Sequence, residues 1–330
     1  MKADEKTTKN VKEKKEEEKT LAVEHVETRK WTSKCVDEFD AFLFDCDGVL
    51  WTSSAAIDGA KETLQALQKM GKKVIFLSNN ATKSLETYQK KILSLFDLRV
   101  SQEQVFTSAL ATATYVSTLK EFSDTLRKKN KILLVGSIGL YEMLTKRFGF
   151  EVIWTAQDIA NLRGMSGEQV SALPLDRDVR AVIVSMDVGY GYNDISLVCR
   201  YMYEVHHEVD HPLHFIGSND DTTFPQSDAV CLAGTGSLVA SVKALNEHVP
   251  FVICGKPHAL LYQLVQHQHQ IDVKRSLMVG DRLNTDVQFG INCGMQTLLV
   301  LTGISTREDI QKYRIKPNFI LDSVKSIIAT

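Results

Sequence analysis

Short apolar runs of strand length alternate along this chain with stretches in which apolar residues recur at helical spacing. AFLF at 41–44 and the core of KKVIFLSNN at 72–80 are apolar without alternation. A strand with one wet face would alternate, so these runs predict strands covered on both faces, as in a parallel sheet. Between them, DGAKETLQALQKMG predicts a helix with Asp58 as N-cap, Gly71 at its end, and Ala60, Leu64 and Leu67 on one face. Six further runs predict strands: KILLVGS (131–137), RAVIVSMD (180–187), LHFIGSN (213–219), FVICGK (251–256), SLMVGD (276–281) and QTLLVLTG (296–303). The order is that of an α/β protein with a doubly wound, mostly parallel sheet. In such sheets ligands bind beyond the carboxyl ends of the strands, so the polar residues closing each run are the ones to weigh.

Composition changes this picture little, except at the start. Apolar residues make up 44% of the 330, enough for a sizeable core, and the net charge of −2 argues against a general nucleic-acid or membrane-surface binder. Residues 2–19 hold seven lysines and six acidic residues with almost nothing apolar, so residues 1–34 read as a charged, mobile tail. That balance fits neither a signal peptide nor a transit peptide, and no run reaches the roughly 18 apolar residues of a membrane span. Six scattered cysteines without a CxxC pair fit free thiols in a reducing compartment, and the cytoplasm is the expected location.

The chemistry gathers at the strand ends. In FLFDCDGVLW, Asp45 and Asp47 point the same way while Cys46 points the other, and Gly48 permits a sharp turn. Two like charges so close repel unless a cation sits between them, and hard oxygen ligands at close range suit Mg²⁺. By itself a DxD at a strand end is as well read as a turn or cap. The other strand ends alter that balance: Ser78 and Asn79 in LSNN, Lys256 in CGKP, and Asp281 and Asp286 in GDRLNTD. A nucleophile, an anion clamp and a metal site are the parts that phosphoryl transfer needs.

These four motifs, in this order, resemble the haloacid dehalogenase-like phosphatases, in the branch of 4-nitrophenylphosphatase, phosphoglycolate phosphatase and pyridoxal phosphatase. The resemblance covers residues 38–325 and implies a Rossmann-like core with an inserted C2-type cap. It implies Asp45 as the nucleophile that becomes an aspartyl-phosphate and Asp47 as the general acid/base. Ser78 and Lys256 would hold the phosphoryl oxygens, with Asn79 their neighbour. Asp45, Asp281 and the backbone carbonyl of Asp47 would bind Mg²⁺, with Asp286 behind a water on the metal. Where the family often reads GDRLDTD this chain has Asn284, one charge fewer.

Spacing locates the inserted domain. Asp45 and Ser78 are 33 residues apart, which one βαβ crossover fills, whereas 178 residues separate Ser78 from Lys256. Residues 35–129 and 251–330 are therefore expected to form the catalytic core, and 130–250 the cap. A lid over the phosphate favours a small-molecule ester over a phosphoprotein. In the cap, GSNDDTTFP resembles the family's TNxDxxxP, with Asn219 and Asp221 at the matching positions, and AGTGS resembles a glycine-rich loop. Relatives usually carry a histidine in the loop that here reads VSMDVGYGYND, where Gly189 stands. Either Tyr190 and Tyr192 take over its contact or the substrate differs. HHEVDHPLH at 206–214 has no ligand spacing and reads as a polar surface loop.

The expected function is Mg²⁺-dependent hydrolysis of small phosphate monoesters such as 4-nitrophenyl phosphate or 2-phosphoglycolate. The alternatives are pyridoxal phosphate or another sugar or nucleotide monoester, and a non-catalytic phosphate-binding protein. A dehalogenase would not need Asp47 or the Asp281 motif, and a phosphomutase commonly carries its cap between the first two motifs. Family members often pair through the cap, so a homodimer of that kind is a further expectation.

Overall fold

The computed structural model describes residues 28–126, 128–206, 213–227 and 230–329. Six parallel strands form one sheet, in the order Phe319–Leu321, Gln296–Val300, Ser276–Gly280, Ala41–Asp45, Lys73–Ser78, Val105–Thr107. Ala41–Asp45 lies in the interior of the sheet, with Phe42, Leu43 and Phe44 fully buried. A second parallel sheet of five strands runs Phe251–Ile253, His214–Gly217, Val179–Val184, Lys131–Val135, Glu151–Trp154. The eight expected strands are all present, and the shorter Val105–Thr107, Glu151–Trp154 and Phe319–Leu321 are additions.

The unbroken apolar character of the second sheet has a physical use. Ile132, Leu134, Ala181, Ile183 and Ile216 join the same apolar cluster as Phe44 and Phe76 of the first sheet. Their alternates Leu133, Val135, Val182, Val184 and Phe215 fill a separate core on the far face. The helix Ser108–Thr118, rich in alanine and threonine, contributes Ala109, Ala111, Ala113 and Val116 to the shared cluster.

Three expectations need correction. Phe251–Ile253, expected to open the return to the first sheet, instead pairs with His214–Gly217 as the edge of the second. The sheet boundary therefore falls after Ile253 and not at 250. The first helix runs Ala60–Lys69 with Gly59 at its N-cap, at φ 76°, where Asp58 was expected; Gly71 ends it as read. Of the segment 1–34 read as a mobile tail, residues 1–27 lie outside the described residues, and from Thr28 onward the chain is tied down. Arg29 N–H donates to Asn318 O at 2.8 Å, and Trp31 packs edge-on against Phe319 at 4.9 Å and donates from Nε1 to Ile327 O at 3.1 Å. Ser33–Glu38 is a 3₁₀ helix that buries Cys35 and Val36. Among the described residues no helix is long and apolar enough to cross a membrane. Of the histidine-rich stretch, residues 207–212 lie outside the described residues, and His214 opens a strand and sits 3.2 Å from the Glu121 carboxylate.

Candidate active site

The carboxyl end of the first sheet carries a buried group of charges. One carboxylate oxygen from each of Asp45, Asp281 and Asp286 lies within 4.8 Å of the others. Asp45 ends its strand, Asp281 follows the strand Ser276–Gly280, and Asp286 stands in the helical turn Leu283–Val287. The Lys256 ammonium joins them, 2.5 Å from Asp45 Oδ1 and 2.7 Å from Asp286 Oδ1. Gly48, at φ 84°, turns the chain sharply beside them, and a Cβ there would collide with the Asp281 carboxylate.

Three carboxylates meet one lysine in a largely buried site, which leaves an excess of negative charge. Its effect is visible in the titration of Asp45, Asp281 and Lys256. Burial pushes Asp45 well above the usual carboxylate range; Lys256 opposes this, and Asp286 and Asp281 add to it. Burial, with Asp286 beside it, raises Asp281 to about 7. Burial alone would lower the Lys256 ammonium, but Asp286 and Asp45 outweigh it and keep the lysine protonated. A divalent cation would cancel the excess charge, and an all-oxygen donor set suits a hard one. The donor set therefore fits a metal such as Mg²⁺. Asp286, expected behind a water, lies in the cluster itself. The Asp47 side chain is not part of it: Oδ1 accepts from Trp51 Nε1 at 2.8 Å.

The neighbouring loops hold this group together. Ser78 is buried at the end of its strand, one residue past Leu77, the register partner of Asp45. Asn79 donates from Nδ2 to Lys256 O at 2.9 Å and accepts at Oδ1 from Lys256 N at 2.8 Å, fixing the lysine's backbone from both sides. From the second sheet, Asn219 Nδ2 donates to Asn79 O at 2.7 Å and Ser137 Oγ to Ala81 O at 3.3 Å. The carboxyl ends of the two sheets therefore meet over the site.

The comparisons with known proteins agree with this geometry. Residues 42–151 match the family described as haloacid dehalogenase-like hydrolase, and residues 253–327 the HAD-hydrolase-like family. The glycerol-3-phosphate phosphatase of Mus musculus is 33% identical over 305 residues, covering 88% of this chain and 90% of its own. The chain is a haloacid dehalogenase-like phosphatase. The 4-nitrophenylphosphatase of Schizosaccharomyces pombe is likewise 33% identical, over 89% of this chain and 95% of its own. Among solved structures, a p-nitrophenyl phosphatase from Archaeoglobus fulgidus aligns with a TM-score of 0.71 at 25% identity, over 88% of this chain and 98% of that one.

The cap residues of this phosphatase fall elsewhere than expected. Asp221 turns to the first sheet, where it accepts from Asn79 Nδ2 and Thr285 Oγ1, both at 2.8 Å, with the Arg282 guanidinium 3.5 Å away. Arg282 also donates to the carbonyl and hydroxyl of Thr223 at 2.9 and 2.8 Å. The glycines of AGTGS make room for this segment: Gly236 N–H donates to Asp221 O at 2.8 Å, and a Cβ on Gly234 would strike the same oxygen. The Tyr190 hydroxyl is 2.6 Å from Ser241 Oγ inside the second domain, and Tyr192 is exposed. The space beside Gly189 is filled by Arg163, which bonds Asp187 at 2.5 Å and the buried Asp194 at 3.3 Å. Arg163, Arg282, Thr285, Tyr88 and the indole of Trp51 were not picked out from the sequence. Trp51 closes the aspartate motif and Arg282 and Thr285 stand inside GDRLNTD, so these three carried a signal; Arg163 and Tyr88 did not.

Proposed function

We propose that this chain hydrolyses small phosphate monoesters with Mg²⁺, through an aspartyl-phosphate on Asp45. The observation that carries the reading is the buried trio of Asp45, Asp281 and Asp286 around a single protonated Lys256. Asp45, Asp281 and Asp286 would hold the cation, with the Asp47 carbonyl that the family resemblance adds. When bound, it supplies the positive charge that admits an anionic phosphate beside Asp45.

The residues of the chain then divide the work. Lys256 stabilises the ionised form of Asp45, the form that attacks phosphorus, and offsets charge on the phosphoryl oxygens. The Ser78 hydroxyl hydrogen-bonds a phosphoryl oxygen. Asp47, oriented by the Trp51 indole, gives a proton to the departing alkoxide and then takes one from the water that cleaves the aspartyl-phosphate. The second domain, joined to the site through Asn219 and Asp221, excludes water and bulky partners. The names of the relatives, glycerol-3-phosphate, 4-nitrophenyl and phosphoglycolate phosphatases, support a small ester as substrate.

The test is phosphate release from 4-nitrophenyl phosphate, 2-phosphoglycolate, glycerol 3-phosphate and pyridoxal phosphate, with Mg²⁺ or EDTA, for wild type and Asp45→Asn. Turnover should need Mg²⁺ and vanish in the variant. Equal turnover by Asp45→Asn would overturn the mechanism, and no turnover of any ester would overturn the function.

A further inference from the structure

We infer that Tyr88 is a positioning residue: it fixes the polarity of the Ser78 hydroxyl so that the serine proton is presented to the phosphoryl group. The inference rests on the phosphatase reading above and adds a residue to it.

Ser78 Oγ has two neighbours. The Asn80 backbone N–H donates to it at 3.2 Å, and Tyr88 Oη lies 2.8 Å away. A hydroxyl offers one proton and two lone pairs. The Asn80 amide can only donate, so it occupies one lone pair. The direction of the Tyr88 bond is then decided by what each alternative leaves unmade. Tyr88 is buried, and Ser78 is its hydrogen-bond partner among the described residues. If Ser78 donated to it, the phenolic proton would lack an acceptor, the costlier arrangement for a buried donor. With Tyr88 donating, its proton is satisfied and the second lone pair of Ser78 is filled. The serine proton is then the one bonding capacity that these two neighbours leave free. Burial, with the carboxylate of Asp47 nearby, holds the phenol protonated and able to donate.

The ring is placed for this task by its helix and by Trp51. Tyr88 belongs to the helix Leu85–Phe96, whose first turn is capped by Ser84 Oγ accepting from Thr87 N at 3.3 Å. Its ring packs on Trp51, centroid to centroid 6.3 Å, and the Trp51 indole is the group that binds Asp47. Lys91, one turn further along the helix, sets its ammonium 4.1 Å from the Trp51 ring centre. One aromatic pair thus braces both the acid/base carboxylate and the phosphate-facing hydroxyl.

Tyr88→Phe keeps the ring and removes only the donor. The experiment is a double-mutant cycle of Tyr88→Phe and Ser78→Ala, read as the dissociation constant of inorganic phosphate by calorimetry in Mg²⁺, with thermal unfolding as the check on folding. Phosphate binding should weaken about tenfold in Tyr88→Phe, and the same change should have no further effect once Ser78 is alanine. An equal loss in both backgrounds would mean that the Tyr88 hydroxyl acts through something other than Ser78 and would overturn the inference, as would unchanged binding in Tyr88→Phe, the result if Tyr88 acts by packing alone. Turnover of 4-nitrophenyl phosphate by the same wild type judges the hydrolase reading separately, since the binding cycle does not depend on it.

Discussion

Asp221 and Asn79 are hydrogen-bonded at 2.8 Å across 142 residues of sequence. The same carboxylate accepts from Thr285 and lies beside Arg282, so one residue of the second domain ties together the loops that carry Ser78, Lys256 and Asp281. Asp221→Ala would remove an acceptor shared by Asn79 and Thr285 and the carboxylate beside Arg282. We expect a loss of about 2–4 kcal/mol in stability, within the range for breaking a buried charged network. A fall in kcat of tenfold or more should accompany it as the loops drift. Thermal unfolding and phosphate release measure both; an active variant of unchanged Tm would contradict the prediction.

Gly189 and Arg163 compete for one space. Gly189→Ala should push the guanidinium off Asp187 and Asp194 and loosen residues 187–194. The expected outcome is a severalfold rise in KM for the preferred ester with little change in kcat. Arg163→Met should give a similar rise, and the double variant no more than either alone. Additive effects would show that the two residues act apart.

Metal removal should be visible in stability as well as in rate. A ligand that binds only the folded state at a hundredfold excess over its Kd stabilises by about 2.7 kcal/mol. For a chain of this size that shift is several degrees of Tm between EDTA and saturating Mg²⁺. Asp281→Asn should lose most of it. A wild type with the same Tm in both conditions would count against the carboxylate cluster as a cation site.

The thiols should separate by burial. Cys254 is buried and its thiol is pushed up to about 12, whereas Cys231 is exposed. A raised pKa means less thiolate at any given pH, so at pH 8 only ~1 in 10⁴ of Cys254 is reactive. Cys46, between the two aspartates, is also buried and raised, by burial first and then by Asp45 and Asp47. Iodoacetamide at pH 8 should label Cys231 and spare Cys46 and Cys254 until the protein unfolds. Rapid native labelling of Cys46, read by mass spectrometry, would reverse this.

Trp31 anchors the segment that leads into the first strand. Trp31→Ala should cost about 2 kcal/mol, less than the 3–5 of a fully buried aromatic. The loss should appear in denaturant unfolding with kcat unchanged, because Trp31 touches Phe39, Phe319 and Ile327 and none of the charged residues of the site.

Most of the architecture could be read from the chain because parallel strands buried on both faces leave uniform apolar runs, and those ending at Asp45, Ser78 and Gly280 bring polar residues to the site. Ser78, Lys256, Asp281 and Asp286 were visible for that reason. Val105–Thr107 and Phe319–Leu321 were too short to stand out from buried helix or loop. Phe251–Ile253 was read as a strand but credited to the wrong sheet, since an apolar run does not name its partner. Tyr88 and Arg282 were missed because their importance lies in hydrogen bonds to residues distant in sequence or around a turn. A tyrosine on an amphipathic helix and an arginine after an aspartate are commonplace as patterns. Trp31 was lost to the charged residues before it, which made the whole opening segment look unfoldable.

The strand Phe251–Ile253 has a consequence for motion. Only Cys254 and Gly255 lie between the edge of the second sheet and Lys256. Its ammonium reaches back to Asp45 and Asp286 while Asn79 holds its backbone, so this one residue couples the edge of the second sheet to the charged group of the first. A shift of one sheet against the other would be felt at the lysine within two residues, and on the proposed reading the position of its charge would register how the two sheets are set.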